Sequence, residues 1–82
     1  MSYKIDHSAL AREGINILNV VPHDHGISVL FEYSWHDPEM RDKLHWSKSS
    51  VFLFHNGLDR GRATRRILID VRIAREELEG GR

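Results

Sequence analysis

The chain has no cysteine and only two prolines among its 82 residues. The lack of cysteine excludes a disulfide framework, a thiolate nucleophile and a cysteine-ligated zinc site. No apolar run approaches the roughly 20 residues needed to span a bilayer, and the first residues lack the apolar segment of a signal peptide. These absences predict a protein without membrane contact, and the reducing cytoplasm is its simplest location.

Net charge is also absent, because twelve basic residues balance twelve acidic ones. The two signs are nevertheless separated along the chain. Glu13 to Glu39 contains five acids and no Lys or Arg, whereas Arg41 to Arg75 contains nine bases and three acids. This asymmetry favours self-association or an acidic partner, unless the two halves interleave on the folded surface.

The size of the chain predicts a single domain over residues 1–82. Hydrophobic residues at 40% and charged residues at 29% are typical of a folded globular protein. A chain of this length buries only about 60–65% of its unfolded surface, so its core is thin. An oligomer interface would therefore add useful buried area.

The clearest pattern lies between Ile15 and Trp35, where two apolar segments flank the polar stretch Pro22 to Gly26. Proline, aspartate and glycine suit a turn, and five residues suit a hairpin loop. The second segment alternates apolar and polar residues, which predicts a strand with one buried face. The residues expected on that face are Ile27, Val29, Phe31, Tyr33 and Trp35.

Two helices are predicted around this hairpin. Ser8 is a candidate N-cap for a short helix over residues 9–13, and Gly14 suits the C′ position. Asp37, followed by proline and glutamate, predicts the start of a second helix that ends near His45 or Trp46. A short strand over residues 3–5 is expected before the first helix, and a loop over residues 47–50 after the second.

The remaining apolar segments predict two more strands. Residues 51–54 are all apolar, and Asn56-Gly57 after them is a strong turn signal. The β-branched residues Ile67, Ile69, Val71 and Ile73 then alternate as in a strand. An alternative is an 18-residue helix that ends at Gly80, with one apolar face formed by Ala63, Ile67, Val71, Ala74 and Leu78.

The predicted fold is therefore α+β, with a small antiparallel sheet of four to five strands and one or two short helices. An order of hairpin, helix and further strands before Gly80-Gly81 resembles the ubiquitin-like β-grasp, whose carriers end in a Gly-Gly tail. Here Arg82 follows the glycines, and about 14 residues precede the first hairpin strand. The resemblance implies a carrier function as one alternative.

Six histidines raise the possibility of a metal site or a small histidine-dependent enzyme. The candidate ligands are His23, Asp24 and His25 in the hairpin turn, whereas His36 lies about 30 Å away along the strand. The sequence has no nucleophile elbow and no carboxylate pair in apolar surroundings. We therefore assign no catalytic residue, no cofactor and no metal, with the turn as the alternative metal site.

A cluster of arginines is the strongest sign of a nucleic-acid or anion site. It consists of Arg60, Arg62, Arg65 and Arg66. Guanidinium groups bind phosphate through paired hydrogen bonds, which makes nucleic acid the first alternative partner. The absence of net positive charge counts against this function.

The aromatic residues lead to the preferred hypothesis. One thin sheet with two short helices cannot cover both of its faces, so a second copy of the chain is the economical cover. The sequence thus predicts a non-catalytic protein-binding or regulatory module that acts as a homodimer. The expected interface residues are Phe31, Tyr33, Trp35, Trp46, Phe52 and Phe54.

Overall fold

A computed structural model describes residues 5–55 and 61–80 of the chain. Within them, the three strands form one antiparallel sheet in the order β1–β2–β3, with β2 in the centre. The α+β class is confirmed, but the expected four to five strands are wrong. The elements in chain order are α1 (His7–Arg12), β1 (Ile15–Pro22), β2 (Gly26–His36), β3 (Leu44–Phe54) and α2 (Arg62–Leu78).

The predicted hairpin is confirmed as β1 and β2. Its turn is closed by a 2.8 Å hydrogen bond in which the His23 N–H donates to the Gly26 carbonyl. Gly26 is required here because a Cβ at this position would overlap the Leu53 carbonyl and approach the Phe52 ring. β3 can therefore pack closely against the start of β2 only because glycine has no side chain at position 26.

The helix predicted to begin at Asp37 is wrong, because the chain turns there and re-enters the sheet at Leu44. Asp37 Oδ1 accepts hydrogen bonds from the N–H groups of Glu39 and Met40, as an N-cap does. Its own N–H donates to the Lys43 carbonyl at 3.0 Å, which closes a second hairpin. The same capping chemistry serves a turn and a helix, and the following sequence decides between them.

The following sequence favours a strand because β3 pairs with β2 over all eleven of its residues, without a register shift. A helix over the same residues would bury only a narrow apolar stripe at Met40 and Leu44. The loop predicted over residues 47–50 is consequently also wrong, since these residues belong to β3. The fully apolar residues 51–54 form the end of that strand.

The predicted C-terminal strand is wrong, and the alternative helix is correct. Ile67 and Val71 are buried, whereas Ile69 and Ile73 are about half exposed, at 51% and 52%. Burial thus recurs every three to four residues, as on one side of a helix. The β-branched residues at alternate positions predicted a strand. A helix instead buries Ala63, Ile67 and Val71 together against the sheet.

Both helices pack on the same face of the sheet. Leu10 of α1 joins Ile67 and Val71 of α2 in one core with the buried side chains of β2. Asp6, rather than the predicted Ser8, caps α1 by accepting a hydrogen bond from the Ala9 N–H. Gly14 at the C′ position has a φ of 74°, as predicted. Ile5 is not in a strand, and the rest of the predicted N-terminal strand lies outside the described residues.

Arg75 fixes the C-terminal half of α2 to the sheet. Its Nε donates to the Ser34 carbonyl at 2.7 Å, and its Nη2 donates to the Glu13 carbonyl at 2.6 Å. Glu79 adds a carboxylate that accepts from the His36 N–H at 2.8 Å. At the other end of α2, Thr64 Oγ1 accepts a hydrogen bond from the Asp6 N–H at 2.9 Å, so the first turn of α2 lies beside the start of α1.

The order of the helices and strands does not match the β-grasp fold. The described elements follow the order α, β, β, β, α, and no helix separates β2 from β3. Gly80 has a φ of 81° and follows the end of α2, which gives it a helix-terminating role. Gly81 lies outside the described residues.

Candidate protein-binding surface

The helices leave one face of the sheet uncovered, which we call the open face. Side chains alternate between the two faces of a strand, so the open face carries the residues between the core positions. Several of its apolar side chains are large and exposed, with Leu44 at 47%, Trp46 at 49% and Phe54 at 63%. The members contributed by β2 and β3 are Ser28, Leu30, Glu32, Leu44, Trp46, Lys48, Ser50, Phe52 and Phe54.

An aromatic cluster occupies the end of the open face near the β1–β2 turn. The Phe52 and Phe54 rings meet edge to face with centroids 4.9 Å apart. The His23 ring lies 5.5 Å from the Phe52 ring, and Leu30 is 38% exposed nearby on the central strand. Contiguous exposed apolar side chains of this kind mark binding surfaces more often than isolated ones do.

A polar belt separates this cluster from the second apolar end of the open face. Glu32 on the central strand lies opposite Lys48, and its Oε2 accepts a 3.2 Å hydrogen bond from Asn16 Nδ2. Beyond the belt, β3 presents Trp46 and Leu44. The open face therefore has an apolar patch at each end of β3 and charged groups in the middle.

The six aromatic residues predicted for an interface separate into three groups. Phe31 and Tyr33 are 1% and 6% exposed and face the helices, so they belong to the core. Trp35 is partly buried on the same side, where its Nε1 donates to Ser47 Oγ at 2.9 Å. The residues on the open face are Trp46, Phe52 and Phe54. Alternation along β3 places Trp46, Phe52 and Phe54 on one face. The sequence did not predict this because residues up to His45 or Trp46 were assigned to a helix.

The β2–β3 turn is held by a hydrogen bond between the His45 and Asp37 side chains, next to Trp35. His45 Nε2 lies 2.9 Å from Asp37 Oδ2, and the His45 ring packs on the Trp35 ring with centroids 4.5 Å apart. The hydrogen bond from His45, followed by those from the Met40 and Glu39 N–H groups, lowers the pKa of Asp37 to about 2. Sequence reasoning missed this pair because it assigned both residues to one helix.

The other histidines make separate contacts at the two ends of the sheet. His23 Nε2 pairs with Ser28 Oγ at 2.8 Å, and His55 Nε2 donates to the His23 carbonyl at 3.3 Å. At the far end, His36 Nδ1 donates to the Arg41 carbonyl. Within residues 5–55 and 61–80, no three histidine, aspartate or glutamate side chains are grouped as metal ligands. The candidate ligands His23, Asp24 and His25 thus gain no support from the geometry.

Three of the four predicted anion-binding arginines lie at the start of α2. Arg62, Arg65 and Arg66 are all exposed, and Arg66 Nε donates to both carboxylate oxygens of Asp70 at 3.3 Å. Gly61 precedes the helix with a φ of 83° and supplies no capping side chain. Arg60 lies outside the described residues.

No helix in the described part of the chain is long and apolar enough to cross a membrane. Comparison of the chain with protein-family models, with curated proteins and with solved structures found no match.

Proposed function

We propose that this protein is a small protein-binding module that acts as a homodimer, with the sheet as its binding element. The observation that carries the proposal is the unequal covering of the sheet. One face holds the whole described core beneath two helices, whereas the other leaves Leu44, Trp46 and Phe54 about half exposed or more. The proposal keeps the cytoplasmic location expected for a cysteine-free chain.

Burial of these side chains supplies the driving force for association. Removing apolar surface from water is worth about 25 cal/mol per Å², and aromatic side chains provide much of the energy at interfaces. Glu32 and Lys48 in the polar belt add a charge pattern that can fix the orientation of a partner. The open face thus combines apolar anchors with polar groups, as specific interfaces do.

Sedimentation equilibrium of the purified chain tests the proposal directly. We expect a mass of twice the chain, with dissociation on dilution. A serine at Phe54 removes the most exposed aromatic ring of the open face, so Phe54→Ser should shift the equilibrium toward monomer by about tenfold or more.

Met40→Ser is the matched control. Met40 is 58% exposed but lies in the β2–β3 turn, outside β3 and at the opposite end of the sheet from Phe54. This variant should associate as the parent does. A parent chain that sediments as a monomer, or equal losses in the two variants, would overturn the proposal.

A second candidate function is binding of a nucleic-acid backbone at the start of α2. The specific observation in its favour is the exposure of Arg62 and Arg65 in the first turn, where the helix N–H groups also point outward. Phosphate groups are stabilised by this combination of cationic side chains and helix dipole.

Titration of labelled duplex DNA and duplex RNA at low salt tests this candidate. We expect binding that weakens steeply as salt rises, and that Arg65→Ala reduces several-fold. Arg72→Ala is the control, since Arg72 is also exposed but lies near the middle of α2. Absence of binding at low salt would reject the candidate without affecting the homodimer proposal.

A further inference from the structure

The two edges of the sheet differ in how they are protected against pairing. β1 is eight residues long, contains a bulge between Ile17 and Asn19, ends in Pro22, and packs against α1. Bulges, prolines and covering helices are the usual devices that prevent edge strands from pairing with other chains. The β1 edge is therefore closed to a further strand.

β3 has one charged side chain, Lys48, but no bulge, and the helices of the described chain make their main contacts with β1 and β2. It is eleven residues long, has an unbroken register with β2, and contains neither proline nor glycine. Among the described residues, only β2 pairs with it. A long, regular and unpaired edge is a template for strand addition.

Two backbone hydrogen bonds at the ends of the β2–β3 ladder determine which backbone groups of β3 point to that edge. Asp37 N–H donates to the Lys43 carbonyl at one end of the β2–β3 ladder, and His55 N–H donates to the His25 carbonyl at the other. Antiparallel ladders alternate between bonded and non-bonded pairs, so the odd-numbered residues of β3 bond to β2. The even-numbered residues direct their N–H and carbonyl groups outward.

We propose that β3 pairs antiparallel with β3 of a second copy about a two-fold axis at Ser49, which joins the two sheets into one of six strands. This inference rests on the proposed homodimer and specifies its contact. With Ser49 at the axis, residue 44 lies opposite residue 54 of the partner, so the whole of β3 is paired. Each even-numbered residue then meets another even-numbered residue, and all outward backbone groups are satisfied.

The side chains of the open face favour this register. Trp46 lies opposite the partner's Phe52, and Leu44 lies opposite the partner's Phe54. The apolar patches at the two ends of β3 thereby meet across the dimer, and cross-strand aromatic and aliphatic pairs of this kind stabilise sheets. Lys48 lies opposite the partner's Ser50, so the polar belts also meet.

Neighbouring registers are worse for identifiable reasons. An axis at Lys48 places this lysine opposite the partner's Lys48, and directly opposed like charges destabilise a sheet. An axis at Ser50 places Lys48 opposite the partner's Phe52 and leaves Leu44 unpaired. An axis between two residues would set open-face side chains against helix-face ones and bonded groups against non-bonded ones.

Cross-linking through one introduced cysteine tests the register, because the chain has no cysteine of its own. At the axis, Ser49 and the partner's Ser49 form a non-bonded pair with Cα atoms about 4.5 Å apart, within the range for a disulfide. Ser49→Cys should therefore oxidise rapidly to a covalent dimer on a non-reducing gel. Ser47→Cys on the same face is the control, since two such residues would lie about 13 Å apart.

A proline substitution in β3 is the second test, because it should weaken the pairing between the two copies of β3. Ser50→Pro removes an outward N–H and leaves the β2–β3 ladder intact, so the variant should fold but dimerise about tenfold or more weakly. Ser49→Pro removes an inward N–H and should instead reduce the stability of the domain. Circular dichroism of every variant reports whether the fold is retained.

The outcomes separate this inference from the proposed function. Fast oxidation of Ser49→Cys and slow oxidation of Ser47→Cys, in a parent that sediments as a dimer, support the β3 pairing. A dimeric parent with equal oxidation of the two variants overturns the register and leaves the homodimer proposal standing. A monomeric parent overturns both.

Discussion

At the scale of single residues, Asp37 has the most specific environment in the described chain. Its carboxylate accepts hydrogen bonds from His45 and from the N–H groups of Met40 and Glu39, and these hold its pKa at about 2 instead of 3.8. Because the folded pKa lies below the unfolded one, the charged carboxylate stabilises the fold above pH 3.8. That contribution is lost as the pH falls through about 2.

We predict that Asp37→Asn removes this part of the acid dependence. Between pH 5 and 2, the free energy of unfolding of the parent should fall more steeply than that of the variant, and urea denaturation at several pH values measures both. Asp42→Asn, in the same exposed turn, is the control and should keep the parental slope. Identical slopes for the parent and Asp37→Asn would contradict the role assigned to Asp37.

Gly26 gives a second prediction at this scale. An added methyl group would overlap the Leu53 carbonyl, and a backbone group has no rotamer through which to move away. Gly26→Ala should therefore reduce stability by about 1–3 kcal/mol, as overpacking does. Thermal denaturation measures the loss.

The control for Gly26 is Ser28→Ala, two residues further along the same strand. Ser28 is only partly buried, and its side chain contacts His23. This change should cost less than Gly26→Ala. A Gly26→Ala variant as stable as the parent would show that β3 can move away from β2 at this point.

At the scale of secondary structure, α2 is the segment for which a strand and a helix predict different burial of the same side chains. A strand would place Ile67 and Ile69 on one face with equal burial. The helix buries Ile67 completely and leaves Ile69 51% exposed. We therefore expect Ile67→Ala to cost about 2–5 kcal/mol and Ile69→Ala to stay within about 0.5 kcal/mol of the parent.

Chemical denaturation of the two variants measures this difference. Alanine also has the higher helix propensity, so Ile69→Ala gains slightly from that term. Similar large losses at both positions would indicate the strand that the alternation predicted. The test thus distinguishes the helix from the strand in solution.

The elements also show where local sequence signals were sufficient. The β1–β2 hairpin followed from its alternation and from the turn residues between Pro22 and Gly26, both of which are local properties. The capping pattern at Asp37 was real, but it terminates a strand and forms a turn. Its outcome depends on whether the next residues find a pairing partner, which here is β2 over the full length of β3.

At the scale of the whole molecule, the proposed homodimer makes stability depend on protein concentration. If unfolding and dissociation are coupled, a tenfold increase in concentration adds about 1.4 kcal/mol per dimer, or about 3–5 °C in the unfolding midpoint for a domain of this size. Thermal unfolding over a tenfold dilution series measures the shift.

Ser50→Pro provides the control for this prediction, because it weakens the β3 contact and not the domain. Its midpoint should vary less with concentration than that of the parent. A parental midpoint that does not change with concentration would contradict coupled dissociation and unfolding.

Only part of the candidate surface could be predicted from the sequence. An excess of large apolar side chains for a thin core was visible in the composition, and it pointed to an uncovered face. The sequence did not show which aromatic residues lie there. Phe31 and Phe52 have similar local surroundings, yet Phe31 is buried under the helices and Phe52 is on the open face.

By itself, the sequence determined the α+β class, the first hairpin and the surplus of apolar groups, because these depend on local periodicity, turn chemistry and composition. The tertiary structure determined the secondary structure of residues 37–46 and 62–78. In both segments, helical and extended conformations have similar local preferences, and burial against distant residues sets the balance. β3 became a strand because β2 offered a complete ladder, and α2 became a helix because the sheet needed an apolar cover on one face.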